Sequence, residues 1–150
     1  MISVNGLEHM EWQDMQSQEY NKSQNTYYEG EKFSAWQIMD WFTDDYVGVN
    51  AFNICNVIKY LIRYDQKGTP KQDLEKALNY INNVSTNITN NSNNNELFEV
   101  IIQDFIRTKN NEEEFYFKSA LRFFLKGIWL GKEESILTAK TFIEHLKDLY

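Results

Sequence analysis

From Ala51 to Lys67 the apolar residues recur with the helical period of about 3.6. Ile54, Ile58, Leu61 and Ile62 fall on one face, while Asn56, Lys59, Arg63 and Lys67 gather on the opposite one. Gly68 is expected to stop this helix, and Thr69-Pro70 to start the next. Thr69 is a natural N-cap, Pro70 suits the first helical position, and Gln72 would complete a capping box. The second helix then sets Leu74, Ala77, Leu78 and Ile81 on an apolar side and Asp73, Lys76 and Tyr80 on a polar one.

The flanking segments extend this pattern. Lys32 to Phe42 reads as a short helix with Phe33, Trp36, Ile38, Met39, Trp41 and Phe42 packed inward, followed by a loop over Thr43 to Asn50. Asn82–Asn95 reads as a polar linker with little to bury. Beyond it, Leu97, Phe98, Val100, Ile101, Phe105 and Ile106 suggest another opening helix. Asn110 to Glu114 reads as a loop, Phe117 to Leu130 as a long amphipathic helix, and Ser135 to Leu149 as a closing one. Lys59-Tyr60-Leu61-Ile62-Arg63 aligns with Arg122-Phe123-Phe124-Leu125-Lys126, and Leu74, Ala77, Tyr80 and Ile81 align with Ile136, Ala139, Phe142 and Ile143. Gly131 stands where Gly68 stands.

This alignment points to an internal duplication, each copy helix–loop–helix–turn–helix. The expected fold class is all-α, a small bundle of two similar units that pack together to bury their aromatics. Tyr28, Trp36, Trp41, Phe52, Phe105, Phe115, Phe117, Phe123, Phe124 and Trp129 supply the core or the interface. Four segments follow: an acidic arm over 1–31, a first unit over 32–84, an Asn-rich linker over 85–95, and a second unit over 96–150. A single-unit ancestor would have paired with itself, so the chain reads as its fused pair; a homo-oligomer is a separate expectation.

Composition excludes several classes. With one Pro and six Gly among 150 residues, the chain is neither collagenous nor a turn-rich sandwich. No apolar run approaches the roughly 18–20 residues of a membrane helix, and Met1 to Leu7 lacks the features of a signal peptide. A soluble intracellular protein is expected. Cys55 is the lone cysteine and reads as a small core residue; with only two histidines, His9 and His145, no metal site is expected. Glu112-Glu113-Glu114 reads as a solvated or dipole-stabilising run. The Walker spacing of glycines and lysine is absent, which excludes P-loop chemistry.

The formal net charge of −7 is unevenly spread. Residues 1–31 carry Glu8, Glu11, Asp14, Glu19, Glu29 and Glu31 against Lys22 alone. Residues 56–82 carry Lys59, Arg63, Lys67, Lys71 and Lys76 against Asp65, Asp73 and Glu75. Phosphate repulsion makes so acidic a chain a poor nucleic-acid binder, and none is expected as a partner. A local cationic patch can still hold a small anion.

That patch is the informative constellation. Asn56, Lys59, Arg63 and Lys67 on one stripe, with Asp73 and Lys76 on the next helix, form the candidate ligand-binding set. A guanidinium and an ammonium at i and i+4 can clamp one phosphate chain, Arg63 bidentately and Lys59 as a point charge. Asp73 would pair with one of them, or hold a ribose hydroxyl or a metal. The alternative is an exposed face laced with ion pairs worth about 0–1 kcal/mol each.

The run Asn56-Val57-Ile58-Lys59-Tyr60-Leu61-Ile62-Arg63, then Lys67-Gly68, Asp73-Leu74-Glu75-Lys76-Ala77 and Tyr80, resembles the signature of the SaV-like family of small bacteriophage proteins. That family has long been catalogued as a domain of unknown function, with some members described as nucleotide kinases lacking a Walker loop. The resemblance spans Tyr27 to Val84. It implies nucleotide binding, or phosphoryl transfer to a deoxynucleoside monophosphate, in the cytoplasm of an infected host, with Asn56, Lys59, Arg63, Lys67 and Asp73 as the polar set. Where the family has a His-Tyr pair, this chain has Tyr27-Tyr28, which removes the most obvious proton acceptor. Cys55 replaces a Gly, and Ser34 or Gln37 replaces an acidic residue. In the second unit Ser119 and Ser135 stand at the Asn56 and Asp73 positions, and only Arg122 and Lys126 keep the cationic pair.

Two functions follow as expectations. One is a phage nucleotide-binding protein, kinase-like if an enzyme, with no residue assigned a catalytic role and no cofactor beyond a nucleotide. The other is a non-enzymatic phage protein that binds and inhibits a host defence or nucleic-acid-processing protein. In that case Glu8, Glu11, Asp14 and Glu19, with exposed aromatics, would make the contacts.

Overall fold

A computed structural model describes residues 26–107 and 109–150. Among them are six α-helices: α1 (Ala35–Phe42), α2 (Gly48–Arg63), α3 (Pro70–Ile81), α4 (Asn95–Asp104), α5 (Asn111–Leu130) and α6 (Glu133–Asp148). A 3-10 turn at Thr26–Tyr28 precedes them. The described residues contain no strand, only an isolated bridge between Glu29 and Ser34. The fold is all-α, as the helical periodicity requires.

Helices α2 and α3 form one antiparallel hairpin and α5 and α6 a second, with α3 packed on α6. The apolar stripe of α2 enters the core, with Ile54, Ile58, Leu61 and Ile62 fully buried, and Leu74, Ala77, Leu78 and Ile81 face it from α3. Phe98, Phe105, Phe117 and Phe124 complete the interior from the second half. Each such side chain contributes roughly 1.5–3 kcal/mol by leaving water. Trp41 and Phe115, assigned to the core by residue type, are instead exposed. Gly127 lets α5 and α6 approach closely, since a Cβ there would meet Ile136 Cδ1 at 2.6 Å.

Helix boundaries depart from the sequence expectation where a local hydrogen bond decides them. The first helix begins at Ala35, because Ser34 and Gln37 form a capping box. The loop expected at Asn110–Glu114 is the first turn of α5: the Asn110 side chain accepts from Glu113 N at 2.8 Å, and Glu112, Glu113 and Glu114 sit at the positive end of the helix. Thr69 makes no side-chain capping bond, so the box expected with Gln72 is absent. Helix α2 ends at Arg63 rather than running to Gly68. Arg107, from the connection after α4, donates to the Ile62 carbonyl at 2.6 Å and to Asp65 at 2.7 Å, and so seals that end.

The Asn-rich segment is the largest correction. It is a strap rather than a loose linker. Val84 is buried, and Asn50 exchanges two hydrogen bonds with the Ser85 backbone. Asn87 donates to the Asp45 carbonyl, Asn91 to the Asp45 carboxylate and to the Trp129 carbonyl, and Thr89 also to Trp129. Side-chain amides thus supply the hydrogen bonds that the apolar composition could not replace.

The two halves share an order of one short helix and then a hairpin, and in each a stacked ring pair bridges the hairpin. Tyr60 lies on Tyr80 with centroids 5.9 Å apart, and Phe123 on Phe142 at 6.0 Å. The connections differ. Between α2 and α3 the chain takes Tyr64 to Thr69, whereas α5 turns into α6 through Gly131 and Lys132 alone. Asp104 ties the halves together by accepting from Lys32 N and Phe33 N at 2.8–3.0 Å.

Candidate functional site

The polar stripe of α2 is a seam against α3, not an outer face. Asn56 and Arg63 are buried, as are Tyr60 and Asp73. Asn56 turns its amide back onto its own helix, donating to the Phe52 carbonyl at 2.9 Å. Lys59 and Lys76 are partly buried and Lys67, in the turn after α2, is exposed. Asn56 and Lys67 therefore do not join the group that the other four form.

Arg63 is its structural centre. Its guanidinium donates to the Tyr28 hydroxyl at 2.7 Å and to Asp73 Oδ1 at 3.3 Å, and it lies 4.7 Å from the Tyr60 ring centroid. Burial alone would lower the Arg63 pKa; Tyr28 and Asp73 outweigh it and hold the value above the ordinary one. The group is permanently charged and internally compensated. Arg63 Nε and Asp73 Oδ2 are buried without hydrogen-bond partners, so the pair is incompletely satisfied.

Around this centre lie rings and ammonium groups. Lys59 Nζ and Lys76 Nζ stand 5.6 and 5.5 Å from the Tyr60 ring centroid, one from each helix of the hairpin. Tyr60 stacks on Tyr80, which meets Phe52 edge-on, and Tyr28 meets Trp36 edge-on. Burial raises the Tyr60 pKa, with Arg63 opposing it, so the ring remains a neutral phenol and an acceptor of cation–π contacts. Tyr60 is the residue that reading by charge passed over. Part of the signal was present, since Lys59 and Arg63 lie within one helical turn of it, whereas Lys76 reaches it only across the hairpin.

The equivalent positions of the second unit are built differently. Arg122 forms a bidentate pair with Glu99 of α4 at 2.5 and 3.0 Å, which lowers the Glu99 pKa. Ser119 and Ser135 are buried. A second charged cluster, which the sequence did not reveal, joins Asp65 to Arg107 and Lys109 at 2.7 Å each. It caps a helix beside an open cleft that Asp65 and Arg107 line, with the Lys109 side chain 1% exposed. Glu8, Glu11, Asp14 and Glu19, expected to face a partner, lie outside the described residues, as does His9. His145 stacks on Tyr116 at 5.1 Å. Among the described residues no group of three or more His, Cys, Asp or Glu side chains is arranged to hold a metal ion, and no helix is long and apolar enough to cross a membrane.

Residues 12–82 match the model of a family of proteins of unknown function, DUF3310. The matched stretch contains α1, α2 and α3, with all of Asn56, Lys59, Arg63, Lys67, Asp73 and Lys76. No curated protein and no solved structure matches the chain.

Proposed function

We propose that the chain binds a nucleotide on the seam between α2 and α3, with Lys59 and Lys76 holding phosphate and the Tyr60–Tyr80 ring pair forming the adjoining wall. The observation that carries this reading is the convergence of two ammonium groups, from different helices, on one ring at 5.5–5.6 Å. Ammonium groups gathered beside a ring wall supply point charges for phosphate oxygens, with the ring at hand for a base. Arg63 is already paired with Asp73, which makes it a positioning residue: it fixes Tyr60 and Tyr28 rather than clamping phosphate.

Phosphoryl transfer to a deoxynucleoside monophosphate, a phage origin, and action in the cytoplasm of an infected host are the finer parts of this reading. They rest on the motif resemblance. The duplication belongs here too, supported by the two ring pairs at aligned positions.

The test is a thermal-shift panel of nucleosides, nucleoside monophosphates and triphosphates on the full chain. A binder raises the midpoint by mass action, worth about 2.7 kcal/mol at a hundredfold excess over Kd. Phosphorylated ligands are expected to stabilise the protein, unphosphorylated nucleosides to do so far less, and the Lys59→Ala/Lys76→Ala variant to lose the response. A flat panel, or a response that survives in that variant, overturns the proposal. Capture of a host protein through residues 1–31 would then become the better description.

A further inference from the structure

A separate cleft of about 460 Å³ opens where the C-terminal ends of α1 and α5 meet, lined by Trp41, Asp44, Asp45, Asn91, Leu97 and Trp129. We propose that it is a binding site for a small organic cation carrying an ammonium group. Three independent features point to positive charge. The first is the pair of indoles, since Trp is the best cation–π partner among the aromatic side chains. Both are held in place: Trp41 packs edge-on against Phe33 at 5.6 Å, and Trp129 donates its indole N–H to the Ser92 carbonyl at 2.9 Å while packing on Phe42. A preorganised wall costs little entropy on binding.

The second feature is the carboxylates. Asp45 accepts from Asn91 at 3.0 Å, which orients it at the cleft wall. The exposed Asp44 carboxylate forms no hydrogen bond or ion pair among the described residues, and no Lys or Arg lines the cleft.

The third is backbone polarity. Trp41 is the penultimate residue of α1, whose partially negative end therefore lies here; α5 also ends here at Trp129, but its Ile128 and Trp129 carbonyls already accept from Tyr46, Thr89 and Asn91. Helix α4 contributes Leu97 from its positive end, but the Asn94 side chain caps the Leu97 N–H. The volume lies within the range of about 300–1,000 Å³ typical of small-molecule sites. The site shares no residue with the α2–α3 seam and stands whether or not a nucleotide binds there.

Titration calorimetry on the full chain tests the assignment, with choline as the quaternary probe, putrescine as the primary-amine probe and 3,3-dimethyl-1-butanol as the neutral shape control. Saturable binding of either cation at constant ionic strength, at least tenfold weaker in Trp41→Ala and in Asp44→Asn, is the expected result. Whichever probe binds identifies the ammonium class. Both substitutions are at exposed positions, and retained helical circular dichroism verifies folding. Failure of both cations to bind, equal binding of the neutral control, or unchanged affinity in both variants overturns the proposal.

Discussion

Arg63 and Asp73 form a 3.3 Å ion pair across the α2–α3 hairpin, with side chains only 9% and 1% exposed. Removing one partner leaves the other charge buried and uncompensated, which typically costs about 3–5 kcal/mol. Asp73→Ala is therefore expected to lower unfolding stability by that order in a urea titration, and the Arg63→Leu/Asp73→Leu double variant to lose much less. Equal losses in the two would show that the charge is not what the pair contributes.

The strap predicts a local effect. Asn50→Ala removes both hydrogen bonds to Ser85. A loss of roughly 1–3 kcal/mol is expected, with faster amide hydrogen exchange at Ser85 and no change in the α2–α3 seam. Uniform acceleration across the chain would mean that the strap is not a separable element.

Two glycines with positive φ make a matched pair. Gly68 (φ 78°) has open space around its Cβ position, whereas a Cβ on Gly131 (φ 69°) would collide with the Asn87 carbonyl of the strap. Gly68→Ala is expected to cost about 1–2 kcal/mol from the left-handed backbone alone. Gly131→Ala should cost more, because the strap must also move. Thermal unfolding of the two variants side by side checks the order.

Alkaline pH should unfold the protein. Burial raises the pKa values of Tyr46, Tyr60, Tyr64 and Tyr150, the last two further raised by their hydrogen bonds to Glu113. Their contribution to stability is complete below the ordinary phenol value of 10.0 and is lost as pH climbs through the raised values. Lys109 acts in the opposite sense, because burial lowers its pKa and the folded state gains as the free amine range is approached. Four phenols outweigh one amine, so stability measured by denaturant titration from pH 8 to 11 is expected to fall above about pH 10. A flat or rising profile would contradict these environments.

What could be read along the chain was whatever depends on neighbours three or four residues away. The apolar stripes of α2 and α3, the turn at Pro70 and the all-α class are of this kind, because helical packing is written in a short period. The boundary of α2 was not legible, since Arg107 reaches it from 45 residues away. Nor was the strap, whose amides find Asp45 and Trp129 only after both hairpins have assembled.

The candidate site divides in the same way. Sequence alone placed Lys59 and Arg63 on one stripe of the first helix and Asp73 and Lys76 on the polar side of the next, because residues three or four apart share a helical face. Only the tertiary structure decided how deeply each cation is buried and what it meets. It buried Arg63 against Asp73 and Tyr28 and brought the Lys59 and Lys76 ammonium groups to 5.6 and 5.5 Å from the Tyr60 ring centroid. The physical reason is that charge pairing at a buried seam is set by the angle and depth at which two helices meet, and those follow from core packing rather than from residue order.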